Sequence, residues 1–136
     1  MRNVVNLFLP LIATIVMVSC AERKSFDVLN GEWSVVSVGE MAVHDSVDAF
    51  IGFDVSDRAI YGSTGCNLLT GTLPAEVDAV TPLFATLGST RKVCADMTVE
   101  DALLPALSRV VDFALEDSIL NFVDAEGVVL VILAKR

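Results

Sequence analysis

The sequence predicts an α+β fold in which seven or eight antiparallel strands carry one helix. Short segments with alternating apolar residues recur along the chain, separated by Gly, Asp and Ser, as in strands joined by turns. Only residues 98–110 repeat apolar side chains at helical spacing. The last third of the chain holds three strand-like segments joined by short turns, which predicts an antiparallel meander.

The chain begins with a segment typical of a secretory signal. Arg2 precedes the mostly apolar run VVNLFLPLIATIVMVSC, which ends at Cys20. A bilayer span needs roughly 20 apolar residues, and this run is shorter and follows a basic residue at the very start. A short transmembrane anchor is the alternative. We therefore interpret residues 1–19 as a signal peptide.

The end of this run predicts lipid attachment at Cys20. Ser19 directly precedes the cysteine, and apolar Met17 lies three residues before it, which resembles the lipobox of bacterial lipoproteins. That resemblance implies cleavage before Cys20 and acylation of the new N-terminal cysteine, and two or three acyl chains give stable anchoring. Residues 20–28 would then be the lipidated cysteine and a polar tether. We expect the protein in the bacterial cell envelope, held to the outer membrane and facing the periplasm.

The first strands follow the tether. Residues 31–38, GEWSVVSV, are predicted to form a strand that is partly apolar on both faces, and Trp33 is expected to anchor the core. The segment EMAVHDSVD is expected to be a loop or a weak edge strand. Residues 50–63 then predict a hairpin whose turn is Ser56-Asp57-Arg58.

The stretch GSTGCN, residues 62–67, is predicted to be a tight corner between strands. Gly62, Gly65 and the later Gly71 permit positive φ or a close approach of two backbones. The Asn67 side chain can bond to backbone groups that a turn leaves exposed. The corner should direct Cys66 inward, and the strand LLTGTL follows it.

The middle of the chain is expected to hold a short edge strand and the helix. Residues 79–83 alternate as a strand, and Pro82 favours an edge position. Thr98 and Asp101 have the spacing of a capping box at the start of the helix. Pro105 should kink the helix or end its regular hydrogen bonding. The predicted inward stripe comprises Val99, Leu103, Ala106, Leu107 and Val110.

The C-terminal meander is predicted from alternation. Val111, Phe113 and Leu115 are expected to point inward from its first strand. The last strand, VVLVILA, is apolar on both faces, so both faces should be covered.

The charge balance excludes one class of partner. Without residues 1–19, 117 residues remain, enough for one domain, and they carry eight basic against 18 acidic side chains. Nucleic-acid binding depends on basic patches, so DNA and RNA are not expected partners. The scattered charges favour solubility instead.

The mature chain retains two cysteines besides Cys20. Export makes a disulfide between Cys66 and Cys94 possible, and the bridge would stabilise the fold by roughly 3–4 kcal/mol. Two buried thiols are the alternative. His44 stands alone, without a second His or Cys nearby, so neither a metal nor a cofactor is expected.

With these residues placed, the chain resembles the META domain family over roughly residues 28–134. The resemblance implies a curved, incompletely closed antiparallel sheet with a helix across it, and it places the domain at 29–136. The family includes a heat-shock lipoprotein and is linked loosely to stress, motility or secretion. The matching motif positions are Leu29, Gly31, Trp33, Gly62, Gly65, Cys66, Asn67, Gly71, Thr90, Cys94, Glu100 and Gly127.

Two classes of function remain open. The first is a non-enzymatic, monomeric, lipid-anchored envelope protein that binds a protein or an apolar ligand, or has a structural or stress-related role. The open sheet and the helix can leave a groove for such a ligand. The alternative is a thiol-dependent enzyme with Cys66 or Cys94 as nucleophile and His44 as base. The single His and the lack of a C-x-x-C pair favour the first.

Overall fold

The computed structural model describes residues 24–136. The predicted signal peptide and Cys20 lie outside the described residues. A short 3₁₀ helix at Phe26–Leu29 comes first, followed by nine strands and the helix α1. Their bounds are β1 Gly31–Val38, β2 Met41–Ala42, β3 Ala49–Asp54, β4 Ala59–Thr64, β5 Leu68–Thr72, β6 Gly88–Ser89, α1 Thr98–Leu107, β7 Asp112–Glu116, β8 Ile119–Val123 and β9 Val129–Lys135.

All strands pair antiparallel in one sheet of order β6-β5-β4-β3-β1-β9-β8-β7, with β2 beside β1. Strands β6 and β7 at the two ends do not pair, so the sheet is not closed. Two meanders, before and after α1, meet where β1 pairs with β9. The predicted fold class is therefore confirmed. The described chain has more strands than the predicted seven or eight. The nine include β2 and β6, which have only two residues each and are too short to give an alternating pattern.

The core lies between α1 and the sheet. The helix contacts β1, β4 and β9, and its buried side chains are Glu100, Leu103 and Leu107. Trp33 is 2% exposed and donates its indole N–H to the Leu29 carbonyl at 2.7 Å. These contacts place the N-terminal end of α1 beside the β4–β5 corner.

The helix begins and ends differently from a regular helix. The predicted capping box is wrong, because Thr98 is itself helical and its N–H bonds the Asp96 carboxylate at 2.9 Å. Asp101 instead donates its N–H to the Met97 carbonyl at 2.8 Å. Pro105 lacks an N–H but lies inside α1, which ends two residues later, and the Ser108 N–H bonds the Leu104 carbonyl at 3.3 Å.

A bulge changes which side of β1 faces the core. The pairing with β9 shifts between Val35 and Ser37, so Val36 is an extra residue on this strand. Val35 and then Val38 point inward, whereas Val36 is exposed. A strict period of two would have placed Val38 outward.

Two further expectations differ from the structure. Residues 79–83 form no strand, since residues 79–81 are bends and residue 83 begins a turn. Leu115 is 38% exposed although Val111 and Phe113 are buried, because β7 is the edge of the open sheet and nothing within the described chain covers its far end. At the start of the described residues, the Lys24 ammonium pairs with the Asp112 carboxylate at 2.8 Å.

One face of the last strand, β9, is buried, and the other face is only partly covered. Leu130, Val131 and Leu133 are buried, and the adjacent inward pair arises from a register shift against β8. Ile132 and Ala134 on the other face are half-buried. No helix within residues 24–136 has the length and apolarity to cross a bilayer.

Candidate functional site

The β4–β5 corner is built from Thr64 to Asn67. The Thr64 N–H donates to the Asn67 carbonyl at 2.9 Å, which closes the turn. The Thr64 hydroxyl oxygen accepts the N–H groups of Cys66 at 3.2 Å and Asn67 at 2.9 Å. Gly65 has φ +93°, a conformation that L side chains rarely adopt. This corner has the predicted position and the predicted need for glycine.

Asn67 joins the corner to the segment before α1. Its side chain is buried, and its Oδ1 accepts the Thr90 hydroxyl at 2.9 Å and the Lys92 N–H at 2.6 Å. Its Nδ2 donates to the Lys92 carbonyl at 3.0 Å and to Glu100 Oε1 at 2.6 Å. Thr90 also accepts the Leu68 N–H at 3.0 Å, so the motif threonine holds the same junction.

Glu100 matches a motif position of the family, but the sequence assigned it no role in a site. It lies in the first turn of α1, is 7% exposed, and accepts the Thr64 hydroxyl at 2.8 Å through the same Oε1 that Asn67 reaches. The sequence nevertheless indicates that Glu100 is buried. Glu100 precedes Leu103 by three residues and Leu107 by seven, so helical periodicity places its carboxylate on the buried face.

Cys66 and Cys94 form a disulfide with a Cα–Cα distance of 6.0 Å. Of the two alternatives that the sequence left open, the structure contains the bridge rather than two thiols. The bridge ties the corner to the segment that leads into α1. His44 lies apart from it, bonded through Nδ1 to the Ser46 hydroxyl at 2.8 Å, and lines a separate depression with Arg136.

Gly62 and Gly71 allow close backbone approach, whereas Gly31 faces a side chain. A Cβ at Gly62 would lie 2.3 Å from the Phe50 carbonyl oxygen, so β3 and β4 can approach only with glycine there. A Cβ at Gly71 would lie 3.2 Å from the Leu87 Cα, so glycine lets β5 approach that residue closely. A Cβ at Gly31 would lie 2.8 Å from the Lys135 Nζ, so glycine leaves room for this side chain. The Lys135 ammonium also lies 4.7 Å from the Trp33 ring. These residues shape the sheet and do not approach Glu100.

A cleft of about 350 Å³ lies between the corner and the start of α1. Its walls are the loop 46–48, the corner residues 64–66, Cys94, Asp96 and the first turn of α1 with Val99 and Glu100. The hydroxyl and N–H of Thr98 lower the pKa of Asp96 through hydrogen bonds. Within the described residues, no group of three or more His, Cys, Asp and Glu side chains is arranged to hold a metal ion.

Comparison with known proteins assigns the domain. The sequence model of the META domain family matches residues 26–136. No curated protein matches the sequence significantly. An NMR structure of a protein from Burkholderia xenovorans is 20% identical, and the alignment covers 81% of this chain and 85% of that one with a TM-score of 0.62. A crystal structure of a DUF4847 family protein from Bacteroides vulgatus is 13% identical, covering 82% and 96%, with a TM-score of 0.58. At these identities the likeness concerns the fold.

Proposed function

This chain belongs to the META domain family, and from that membership we propose that it is a non-enzymatic, lipid-anchored protein of the bacterial cell envelope that binds a partner. Anchoring through acyl chains on Cys20 would hold the domain at the outer membrane, facing the periplasm, as a monomer. A stress-related role is compatible with this proposal. The proposal has three parts, namely the absence of catalysis, the anchor and the partner.

The disulfide is the observation that carries the non-enzymatic part. A nucleophilic cysteine must supply a thiolate, and in the bridged form neither Cys66 nor Cys94 has one. His44 bonds Ser46 and does not line the cleft that holds the bridge, so the general base of the alternative enzyme is absent there. A disulfide also fits an oxidising, extracytoplasmic compartment. The thiol-dependent enzyme would be revived by a rapidly alkylated cysteine in the folded, non-reduced protein.

The filled interior favours a protein partner over an enclosed apolar ligand. Leu103, Leu107 and Val110 are fully buried between α1 and the sheet, where a groove would otherwise lie. The space near α1 is instead an open cleft at its N-terminal end. Native mass spectrometry of protein purified from membranes tests this choice, because a co-purified lipid mass would favour the apolar ligand.

Two experiments test the anchor and the partner separately. Cys20→Ser should move the protein from the membrane fraction to the soluble fraction and remove the acyl mass. Unchanged partitioning of the serine variant would refute the anchor. Crosslinking in intact cells, followed by purification, should capture the same partner repeatedly with the wild type. The absence of any reproducible partner would count against the binding role.

A further inference from the structure

One carboxylate oxygen of Glu100 has no hydrogen-bond partner among the described residues. Glu100 Oε1 accepts both hydrogen bonds that this side chain makes within residues 24–136, from Thr64 and Asn67. Oε2 makes none. In the described part of the chain every fully buried polar side-chain atom has a partner, so Oε2 is not shut off from solvent, and the open space that Glu100 lines is the cleft. A residue that is only 7% exposed thus keeps one carboxylate oxygen accessible.

The other groups in the cleft define what would fit against this oxygen. Asp48 and Asp96 add two carboxylates, but Asp48 is paired with Arg136 and Asp96 accepts the Thr98 N–H. No lysine or arginine within the described residues lines the cleft, so the charge of Glu100 is not neutralised there by the chain itself.

Part of the cleft lining is apolar. Val47 and Val99 line the cleft together with Glu100, and the disulfide adds a further non-polar surface. An aliphatic stem would contact these walls while a charged end reached Glu100, as lysine and arginine side chains do where they cover apolar surface. The acidic chain, with a formal charge of −9, would attract such a group from a distance.

We infer that this cleft binds an alkylammonium or alkylguanidinium group, as carried by a lysine or arginine side chain of a partner protein, with Glu100 Oε2 as acceptor. The inference rests on the proposed binding function and specifies the chemistry of its ligand. A charge-assisted hydrogen bond from the ligand would give Oε2 its partner. The two valines would contact the stem, so a bare cation such as ammonium should bind more weakly than a group on a four-carbon chain.

The test titrates the 15N-labelled full chain in nonionic detergent with Nα-acetyl-lysine methylamide. Nα-acetyl-norleucine methylamide is the matched probe, since it has the same stem without the ammonium. The lysine probe should shift the amide signals of the loop 46–48, of Gly65 and of Glu100. The norleucine probe should not. Equal shifts with both probes, or no shifts with either, would overturn the inference, and this comparison needs no altered protein.

Two variants assign the effect to one oxygen. In Glu100→Gln the amide oxygen can still accept the bonds from Thr64 and Asn67, while the charge facing the cleft is lost. The lysine probe should then bind about tenfold more weakly or worse, the loss of one hydrogen bond to a charged group. Glu116→Gln removes the same charge at the exposed end of β7 and should alter affinity by less than about twofold. Equal losses in both variants would indicate only long-range charge.

A third probe decides the source of the cation. Pentylamine presents the same stem and ammonium without a peptide backbone. Stronger binding of a lysine-containing tripeptide than of pentylamine would favour a partner protein, and equal binding would favour free amines, with the cation site supported in both cases. Failure of every cationic probe leaves the membrane fractionation and crosslinking results unaffected, so it can be told apart from failure of the proposed function.

Discussion

Asn67→Ala should destabilise the fold more than any other single loss of polar contacts at the corner. The substitution removes four hydrogen bonds to oxygen and nitrogen groups, three with the neutral groups of Thr90 and Lys92 and one with the Glu100 carboxylate, besides a weak bond to Cys66 Sγ at 3.6 Å. Neutral bonds contribute about 1 kcal/mol each, and a bond to a charged group about 1.5–3 kcal/mol. The expected loss is therefore about 5 kcal/mol, against a stability of roughly 5–15 kcal/mol for a typical domain.

Urea unfolding followed by the fluorescence of Trp33 measures this loss. Trp33 is the single tryptophan and is 2% exposed, so its emission should change strongly on unfolding. Asn121→Ala is the matched control, because Asn121 is half-buried on β8 and its side chain makes no hydrogen bond within the described chain. The control should lose less than about 1 kcal/mol.

A loss below about 1.5 kcal/mol for Asn67→Ala, or a loss equal to that of the control, would refute the reasoning. The first result would mean that water replaces the amide at little free-energy cost. That outcome is conceivable only if the segment around Lys92 moves outward, which the disulfide at Cys94 restricts.

Three further outcomes follow from the same region and from the last turn. Replacing both Cys66 and Cys94 by serine should lower the free energy of unfolding by about 3–4 kcal/mol, because the bridge closes a loop across a sequence separation of 28; an unchanged urea midpoint would contradict this. Gly65→Val should lower the melting temperature, since φ is +93° and a Cβ would lie 2.7 Å from a side-chain carbon of the loop 46–48; unchanged melting would show that the corner relaxes freely. The N–H of Val128 chiefly holds the pKa of Asp124 below its usual 3.8, so this carboxylate stabilises the fold fully above that value and ceases to do so as the pH falls through its lower folded-state pKa. The stability difference between the wild type and Asp124→Asn should accordingly be larger at about pH 7 than at about pH 2.5 in urea titrations, and an equal difference at both would be inconsistent with that shift.

Most of the sheet could be predicted because its strands bury one face. Alternation in residues 59–64 and 119–123 follows directly from the contact of every second side chain with the core. The same rule fails where coverage or register changes. Leu115 continues the inward pattern of β7, yet it lies at the open edge of the sheet, and periodicity carries no information about what covers an edge.

The sequence predicted the backbone corner of the candidate site, but it did not predict that the Glu100 carboxylate lies there. The glycines and Asn67 signal a corner by their conformational properties alone, so the sequence is sufficient to locate it. Glu100 required a different argument, because a charged residue on an inward helical face is informative only once its partners are known. Those partners, Thr64 and Asn67, lie 36 and 33 residues away in sequence, and only the fold brings them to the start of α1.

The two walls of the cleft are held by contacts of different strength, which bears on how a ligand would enter. The corner is tied to the start of α1 by the disulfide and by the buried bonds of Asn67, so the Glu100 side is fixed before binding and little freedom is lost there. The opposite wall, the loop 46–48, has exposed contacts of Ser46 with His44 and of Asp48 with Arg136, and only Val47 of this loop packs against the core. Exposed ion pairs contribute little to stability. A ligand that needs more room than the cleft provides would therefore displace this loop and leave the carboxylate in place.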